Sequence, residues 1–234
     1  ICEVDKEQKR LRMVYRIAGK GTAEFATYQE GDFLEILGVL GNGFPLEHTR
    51  GKKVFLMGGG IGIPPMLELA KELSLQEGTE ISVIAGYRDQ ACFLRENLER
   101  YGEVFVATED GSVGTKGNVL DVVKEQGLSA DMIMACGPMP MLRAIKQYAA
   151  ENNMEAFISL EERMACGVGA CLGCVCKTKE VDHHSYVKNA RICTDGPVLK
   201  FPDARGKFID KIAVVRDKQQ RAFVLFQRVF DPFA

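Results

Sequence analysis

The sequence lacks both a strong net charge and an uninterrupted apolar segment. Its 234 residues carry a formal net charge of −2 at pH 7. Such a chain has no electrostatic footprint for nucleic acid, so we expect no nucleic-acid partner. A membrane-spanning helix needs about 20 consecutive apolar residues, whereas the longest apolar stretch, residues 54–67, is interrupted by four glycines and two prolines. We therefore expect no association with a membrane.

The sequence also lacks the features of a secreted protein. Its first residues, Ile1 to Lys6, already carry charge, unlike the apolar core of a signal peptide. Five of the eight cysteines lie between residues 166 and 193, which favours a bound cluster in a reducing compartment over a disulfide framework. We expect a cytoplasmic protein. Because the sequence does not begin with methionine, we also expect an N-terminal portion to be missing.

The spacing of the cysteines is the strongest chemical signal in the chain. Cys166, Cys171 and Cys174 follow a C-x4-C-x2-C pattern, and Cys193 comes later. Four thiolates at this spacing are typical of a plant-type [2Fe–2S] cluster. We predict these four cysteines to be the cluster ligands, and we expect Cys176 to be packed rather than bound.

Glycines separate these cysteines, as a loop around a small inorganic core requires. Gly167, Gly169 and Gly173 lie between the predicted ligands. Glycine accepts a positive φ and lets backbone N–H groups approach the sulfur atoms. We therefore expect the backbone to wrap tightly around the cluster.

Other uses of the cysteines have less support. A zinc ribbon normally has a second C-x2-C pair downstream, but only Cys193 follows here, and zinc stays open as the main alternative. A Rieske centre needs two histidine ligands, and no histidine lies within the loop. We expect His183 and His184, on the connection to Cys193, to be solvated.

Residues 1–50 have the pattern of β-structure. The runs 12–17 and 33–37 are rich in strand-forming residues, and glycines separate them. Two or three strands do not form a stable domain by themselves. We therefore predict the remaining part of a larger barrel, which ends in a glycine-rich hinge at 41–45.

Residues 51–153 alternate between strand and helix patterns. We predict strands at 53–57, 81–85, 104–107 and 132–136. The first predicted helix begins at Pro64 and Pro65 and has its apolar positions at 66–73, and the other helices are predicted at 92–101, 118–126 and 140–152. Repeated βα units with short apolar strands indicate an open parallel sheet with helices on both faces.

Two loops of this sheet are candidates for nucleotide binding. The run Gly58–Gly62 follows the first strand, where a helix N-terminus offers free N–H groups to phosphates. By itself it is also compatible with a plain tight turn. Cys136-Gly137-Pro138 ends a later strand, and ligands bind at the carboxyl edge that both loops share. We predict that the two loops face one crevice.

These motifs together resemble the electron-transfer subunit of type B dihydroorotate dehydrogenase, in the ferredoxin–NADP reductase-like superfamily. The resemblance covers about residues 1–200 and is most specific at 164–176 and 193–197. It implies a multidomain fold of the α+β and α/β classes. The expected parts are a partial flavin-binding β-barrel without its N-terminal strands (1–50), a Rossmann-like parallel-sheet nucleotide domain (51–153), a small [2Fe–2S] domain (154–200) and a basic tail of unassigned role (201–234).

The resemblance also implies the roles of individual residues. The loop 41–44 matches the connection between the flavin and nucleotide domains, and the family's Arg-x-x-Ser flavin motif would come directly before Ile1. The implied FAD contacts are Val14, Tyr15, Arg16, Gly21 and Thr22, the last two near the flavin phosphates. The implied pyridine-nucleotide contacts are Gly58, Gly59, Gly60 and Gly62, with Cys136 and Gly137 beside the nicotinamide. The implied cluster ligands are Cys166, Cys171, Cys174 and Cys193.

The implied function is an electron relay in pyrimidine biosynthesis. A partner subunit that contains FMN would oxidise dihydroorotate, and electrons would pass through the [2Fe–2S] cluster and FAD to NAD⁺. The two kinds of subunit would form a heterotetramer. We nominate no catalytic acid or base on this chain. NAD is favoured over NADP because Asp89, after the second strand, can bind ribose hydroxyls.

Two alternative functions stay open at this point. Related modules serve hydrogenases or bifurcating ferredoxin reductases, and their nucleotide and flavin halves would look alike. A zinc-stabilised nucleotide-binding protein without redox activity would also contain clustered cysteines.

Overall fold

The computed structural model describes residues 1–178, 181, 186 and 188–200. In this part the chain forms eleven strands and five α-helices. The predictions for His183, His184 and residues 201–234 lie outside the described residues. None of the described helices has the length and apolar character that a membrane crossing requires.

The first fifty residues contain little regular structure. The strands β1 (Glu3–Asp5) and β2 (Arg10–Arg12) form a short antiparallel pair. A six-residue helix, α1 (Lys20–Phe25), follows, and a single 3-10 turn at Leu46–His48 leads into the rest of the chain.

The structure of this segment differs from the prediction at two expected strands. The predicted strand at 12–17 is wrong beyond Arg12, and the one at 33–37 is wrong throughout. Phe33 is 91% exposed. No described strand lies beside it, so a strand here would leave its backbone N–H and C=O groups without hydrogen-bond partners in a sheet. The β-barrel is not confirmed, because the described strands do not close into one.

The later part of the chain is organised around one seven-stranded sheet. Its strands are β3 (Lys53–Gly59), β4 (Glu80–Tyr87), β5 (Glu103–Thr108), β6 (Thr115–Lys116), β7 (Met132–Cys136), β8 (Glu155–Ser159) and β11 (Val198–Lys200). In space the order is β11-β8-β7-β3-β4-β5-β6. Neighbours pair in parallel except β11 with β8. The predicted parallel sheet is confirmed, with one antiparallel strand added at its edge.

Four helices follow strands of this sheet: α2 (Ile63–Ser74), α3 (Arg95–Leu98), α4 (Val119–Glu125) and α5 (Met139–Glu151). The first turn of helix α2 contains Pro64 and Pro65, and a backbone N–H at these positions would have no partner within the helix. Helix α3 is shorter than the predicted 92–101, because Leu94 before it has a left-handed φ of 62°.

The sheet is buried on both faces. Val54 and Leu56 of β3 pack in one apolar cluster with residues of α2. Phe55 and Met57 pack in the other, with residues of α4 and α5. Side chains of a strand alternate between faces, so two-sided burial makes β3 apolar throughout.

The β1–β2 pair packs on α2. The backbone nitrogen of Val4 donates to Glu68 Oε2 at 2.9 Å, and Lys71 Nζ donates to the Val4 carbonyl at 2.6 Å. Cys2 is fully buried beneath the pair. These contacts join the beginning of the described chain to the seven-stranded sheet.

The cysteine-rich part is small and continuous with the sheet. Strands β9 (Val175–Lys177) and β10 (Asn189–Arg191) form an antiparallel pair. The chain then returns through β11 to the edge of the large sheet, beside β8. Strands on both sides of residues 153 and 154 therefore belong to the same sheet. The domain boundary predicted between these two residues stays a prediction.

Candidate functional site

The loop between β8 and β9 carries three of the four predicted cluster ligands and has no helix or strand of its own. Its backbone is left-handed at Gly167 (φ 70°), Gly169 (φ 78°) and Leu172 (φ 58°). The first two glycines adopt the conformation predicted for them. Gly173 does not, but its N–H donates to the Cys171 sulfur at 3.4 Å.

The four predicted ligands lie as two pairs. The sulfur atoms of Cys174 and Cys193 are 3.3 Å apart across 19 positions of sequence. Cys166 and Cys171 form the other pair, in which the backbone nitrogen of Cys171 donates to the Cys166 sulfur at 3.3 Å. The first pair is buried, whereas Cys171 is exposed.

The loop backbone favours a thiolate at Cys166. The N–H groups of Cys171 and Val168 and the thiol of Cys171 donate to its sulfur, and they lower the pKa of Cys166 to about 6. Burial instead raises the pKa of Cys174. Backbone N–H donors to sulfur are a common feature of iron–sulfur sites, where they also influence the reduction potential.

This donor set fits a two-iron cluster. Each iron of a [2Fe–2S] cluster takes two thiolates, and the four cysteines form two pairs. A single zinc ion would need three or four ligands around one point. Among the described residues the four cysteines do not surround one point, so it is their spacing and their pairing that favour the cluster.

Cys176 has the character of a packed residue. It lies in β9 opposite Ala190 and is buried in the apolar cluster beneath α4 and α5. Burial raises the pKa of the Cys176 thiol to about 11. Burial also raises the pKa of the predicted ligand Cys174, so a raised pKa does not separate Cys176 from the ligand set, and the exclusion of Cys176 stays a prediction.

The turn after Cys193 is held by a network that the sequence did not reveal. Asp195 accepts hydrogen bonds from Arg191 Nε and Nη2, each at 3.0 Å, and from the Arg191 backbone nitrogen at 2.7 Å. The hydrogen bonds from the Arg191 side chain lower the pKa of Asp195. A Cβ added to Gly169 would lie 3.3 Å from Arg191 Nη1. The Arg191 side chain therefore lies beside the cysteine loop.

The predicted hinge at 41–45 also contacts this turn. Asn42 Nδ2 lies 3.1 Å from the Thr194 carbonyl and 3.2 Å from the Asp195 carbonyl. Neither Asn42 nor Arg191 belongs to a periodic pattern. In the sequence, this region was marked by the predicted hinge at 41–45 and by the resemblance at 193–197.

The glycine-rich loop and the Cys136 loop meet as predicted. Gly58 pairs with Cys136 across β3 and β7, and a Cβ at Gly59 would lie 2.6 Å from Met141 Sδ. Gly60 has a φ of 53° and open space around its Cβ position, and Gly62 lies against the backbone of Cys136. The two loops thus form one carboxyl edge, at the N-terminus of the twelve-residue helix α2.

Cys136 and Gly137 close this edge. Cys136 is buried, and burial raises the pKa of its thiol to about 11. A Cβ at Gly137 would lie 3.1 Å from the Gly59 nitrogen, so the two loops approach closely at this point. Cys136 is opposite Ser159, the last residue of β8, so the cysteine loop also leaves the sheet at this edge.

Asp89 lies one strand away on the same edge, in the loop after β4. Its Oδ1 accepts from the Ala91 backbone nitrogen at 2.9 Å, and the side chain is exposed. A carboxylate in this position can accept hydrogen bonds from ribose hydroxyls.

The predicted flavin contacts lie in the irregular first segment. Val14 packs against the apolar cluster of α2. Tyr15 is exposed, with its ring 5.9 Å from that of Phe25 in an edge-on arrangement. Arg16 is also exposed.

Gly21 and Thr22 are in the first turn of α1. The Thr22 hydroxyl accepts from the Ala18 nitrogen at 2.8 Å and donates to the Gly19 carbonyl at 3.1 Å. It therefore shapes this turn. The assignment of all five predicted flavin residues stays a prediction.

A solved structure of an NADH-dependent reduced ferredoxin-NADP oxidoreductase, described for flavin-based electron bifurcation, has a similar fold. The TM-score is 0.69 at 28% sequence identity, over 80% of this chain and 65% of that chain. The match places the chain in the ferredoxin–NADP reductase-like fold.

Two domain families match parts of the sequence. The oxidoreductase NAD-binding domain matches residues 56–147. The iron–sulfur cluster binding domain of dihydroorotate dehydrogenase B matches residues 161–203. The second match includes all four predicted cluster ligands.

Curated relatives match over most of the chain. The "Dihydroorotate dehydrogenase B (NAD(+)), electron transfer subunit" of Bacillus caldolyticus is 45% identical over 201 residues, which are 86% of this chain and 76% of the relative. The protein of the same description from Shouchella clausii (strain KSM-K16) is 44% identical over 201 residues, 85% of this chain and 75% of the relative. The chain therefore belongs to the family of electron transfer subunits of dihydroorotate dehydrogenase B (NAD(+)).

Proposed function

We propose that this chain accepts electrons from an FMN-containing catalytic subunit that oxidises dihydroorotate, and delivers them to NAD⁺ in pyrimidine biosynthesis. The observation that carries the proposal is the arrangement of the four cysteines as two pairs. The loop with three of them leaves the sheet at the edge where the two glycine-rich loops meet. Relatives about 45% identical carry the name of that electron transfer subunit.

The protein's part in this relay is to hold and orient its cofactors. When bound, the [2Fe–2S] cluster supplies one-electron transfer, and FAD links it to the hydride chemistry of NAD. The paired cysteines hold the cluster, residues 14–16 and 21–22 the flavin, and Gly58–Gly62 with Cys136 and Gly137 the dinucleotide. The backbone N–H groups around Cys166 stabilise thiolate charge. No side chain is assigned as a general acid or base.

The remaining features of the proposal concern the cofactor type and the assembly. We propose NAD rather than NADP because the exposed carboxylate of Asp89 lies at the end of β4. We propose a heterotetramer with the catalytic subunit, and a cytoplasmic location in which the eight cysteines stay free of disulfides. Residues 1–50, 51–153 and 154–200 would serve the flavin, the nucleotide and the cluster respectively.

Replacement of Cys171 by serine tests the proposal. Cys171 is exposed, so the change should leave the core intact. We expect Cys171→Ser to lose iron and acid-labile sulfide, to retain NADH oxidation with an artificial acceptor that draws electrons from the flavin, and to lose dihydroorotate-linked NADH formation. Iron, sulfide and flavin counted per chain, together with the two activities, provide the measurement.

Cys92→Ser is the matched control. Cys92 is half-buried and lies outside the cysteine loop, so this variant should keep the cluster and both activities. Dihydroorotate-linked NADH formation by a cluster-free Cys171→Ser variant would overturn the proposal. Zinc instead of iron in the unchanged protein would favour the structural zinc site.

A further inference from the structure

The turn after Cys193 is tied to a segment that is distant in sequence. The Asn42 side chain directs its amide nitrogen at the carbonyls of Thr194 and Asp195, at 3.1 and 3.2 Å. These carbonyls lie 152 and 153 positions later in the chain. They belong to the two residues that directly follow the predicted ligand Cys193.

The backbones of the two segments meet at the same place. The Asn42 nitrogen donates to the Gly196 carbonyl at 2.6 Å, and the Asn42 carbonyl accepts from the Val198 nitrogen at 3.4 Å. Gly41 has a φ of 71°, and a Cβ there would fall on the Gly196 carbonyl. The close approach therefore depends on glycine at 41.

The chemistry of the Asn42 side chain suits this contact. A primary amide has two N–H donors, and two backbone carbonyls face it. A carboxylate of the same shape would offer only acceptors. Asn42 is exposed, so its side chain contributes little to the apolar core. Its contacts instead join the end of residues 1–50 to the turn that follows Cys193.

We propose that Asn42 is a positioning residue, which fixes the Cys193 turn, and with it the cluster, relative to the flavin-binding segment. This inference rests on the proposed function, because it concerns transfer between the two cofactors. Rates depend sharply on the position of reacting groups, and a misplacement of about 1 Å can lower a rate about 100-fold. The two N–H contacts at Thr194 and Asp195 would hold the turn after Cys193 in the position that supports fast electron transfer between the cluster and the flavin.

Asn42→Ala in the assembled complex tests the inference. We expect unchanged iron, sulfide and flavin content, and unchanged NADH oxidation with an artificial acceptor. The rate at which NADH reduces the cluster, followed by stopped-flow absorbance, should fall about 2- to 10-fold. We expect this range because the turn after Cys193 would lose the net free energy of one hydrogen bond in its preference for the present position over a displaced one.

A second measurement reports on the loop itself. Backbone hydrogen exchange over residues 191–198 should become faster in Asn42→Ala, and the electron paramagnetic resonance spectrum of the dithionite-reduced cluster should change its line shape. Asn42→Gln keeps both donors and should recover part of the rate. Gly41→Ala forces the two backbones apart and should have the larger effect on exchange.

Asn152→Ala and Gly43→Ala are the matched controls. Asn152 Nδ2 donates to the Tyr148 carbonyl at 2.8 Å, at an exposed helix end, and Gly43 has open space around its Cβ position. Both variants should behave like the unchanged protein.

The outcomes separate this inference from the proposed function. If NADH does not reduce the cluster in the unchanged complex, the proposed function fails. If NADH reduces it at equal rates in the unchanged complex and in Asn42→Ala, with equal exchange over 191–198, the positioning role is overturned and the proposed function stands. If Asn42→Ala lost flavin to the same extent as it lost cluster reduction, the variant would have a general structural defect. That result would also overturn the positioning role.

Discussion

Gly62 and Cys136 are in direct backbone contact, although Gly62 follows β3 and Cys136 is the last residue of β7. A Cβ added to Gly62 would fall on the Cys136 carbonyl group and lie 2.7 Å from the Gly137 nitrogen. All of these are backbone atoms, which cannot swing aside as the end of a side chain can. The carboxyl edge of the sheet keeps its present shape only with glycine at 62.

Gly62→Ala should therefore damage the nucleotide site. The added methyl group overpacks the edge, and such changes cost about 1–3 kcal/mol of unfolding free energy. We expect lower stability in urea unfolding, and a higher KM for NADH in the assay with an artificial acceptor. Gly43→Ala, which meets no atom within 4 Å, should change neither quantity. An unchanged KM in Gly62→Ala would show that this edge does not bind the nucleotide.

Asp89→Asn tests the choice between NADH and NADPH. The amide oxygen can still accept from the Ala91 nitrogen, as Asp89 Oδ1 does at 2.9 Å, but the charge is lost. A hydrogen bond to a charged group contributes about 1.5–3 kcal/mol, so the KM for NADH should rise about 10-fold while the KM for NADPH does not rise. Asp110→Asn is the control, since Asp110 holds a similar turn after β5. Equal changes for both nucleotides would contradict the role of Asp89.

Arg191→Lys should make the cluster easier to lose. Lysine cannot reproduce the two side-chain hydrogen bonds that Arg191 donates to Asp195. Groups that orient metal ligands typically change metal affinity 10- to 100-fold, so loss of iron to a chelator should be about 10-fold faster. Arg95→Lys, at an exposed pair with Glu99 (2.8 Å), should leave the rate unchanged. A normal rate in Arg191→Lys would show that the ion pair does not support the ligand loop.

The nucleotide sheet could be predicted from the sequence because its strands are buried on both faces. Two-sided burial makes them short apolar runs, and the predicted strand at 132–136 matches β7 residue for residue. The meeting of Gly62 with Cys136 followed from the rule that parallel strands place their following loops at one edge.

The first segment could not be predicted in the same way. The run at 33–37 has strand-forming residues, but strand propensity depends on a neighbouring strand and a covered face. In the described residues Phe33 has neither. Local sequence does not contain that information.

The contacts that support the turn after Cys193 could not be predicted from local sequence either. The cysteine spacing identified the candidate ligands, but Asn42 meets Thr194 across 152 positions, and such a contact leaves no periodic trace. The antiparallel strand β11 has only three residues, too few for a pattern. Long-range pairs of this kind emerge only from the folded chain.

Glu155 gives the protein a pH-dependent contribution to stability. Its carboxylate lies 2.5 Å from Lys200 Nζ, 3.5 Å from Lys52 Nζ and 3.4 Å from His48 Nδ1. Partial burial of Glu155 opposes ionisation, but the hydrogen bond and charge of Lys200 outweigh it, so the pKa of Glu155 lies below its ordinary value of 4.5. A lowered pKa stabilises the folded state above the ordinary value, and this stabilisation is lost as the pH falls through the folded value.

Glu155→Gln should therefore lower stability at neutral pH and not in acid. At about pH 7 the unfolding free energy should fall by about 1 kcal/mol, since most of the pair partners are solvent-exposed. The difference should shrink as the pH falls below about 4. Urea unfolding followed by circular dichroism at several pH values provides the measurement, with Glu80→Gln as control because the Glu80–Lys53 pair is exposed on both sides. A Glu155→Gln difference that is constant across this range would show that the loss comes from packing and not from charge.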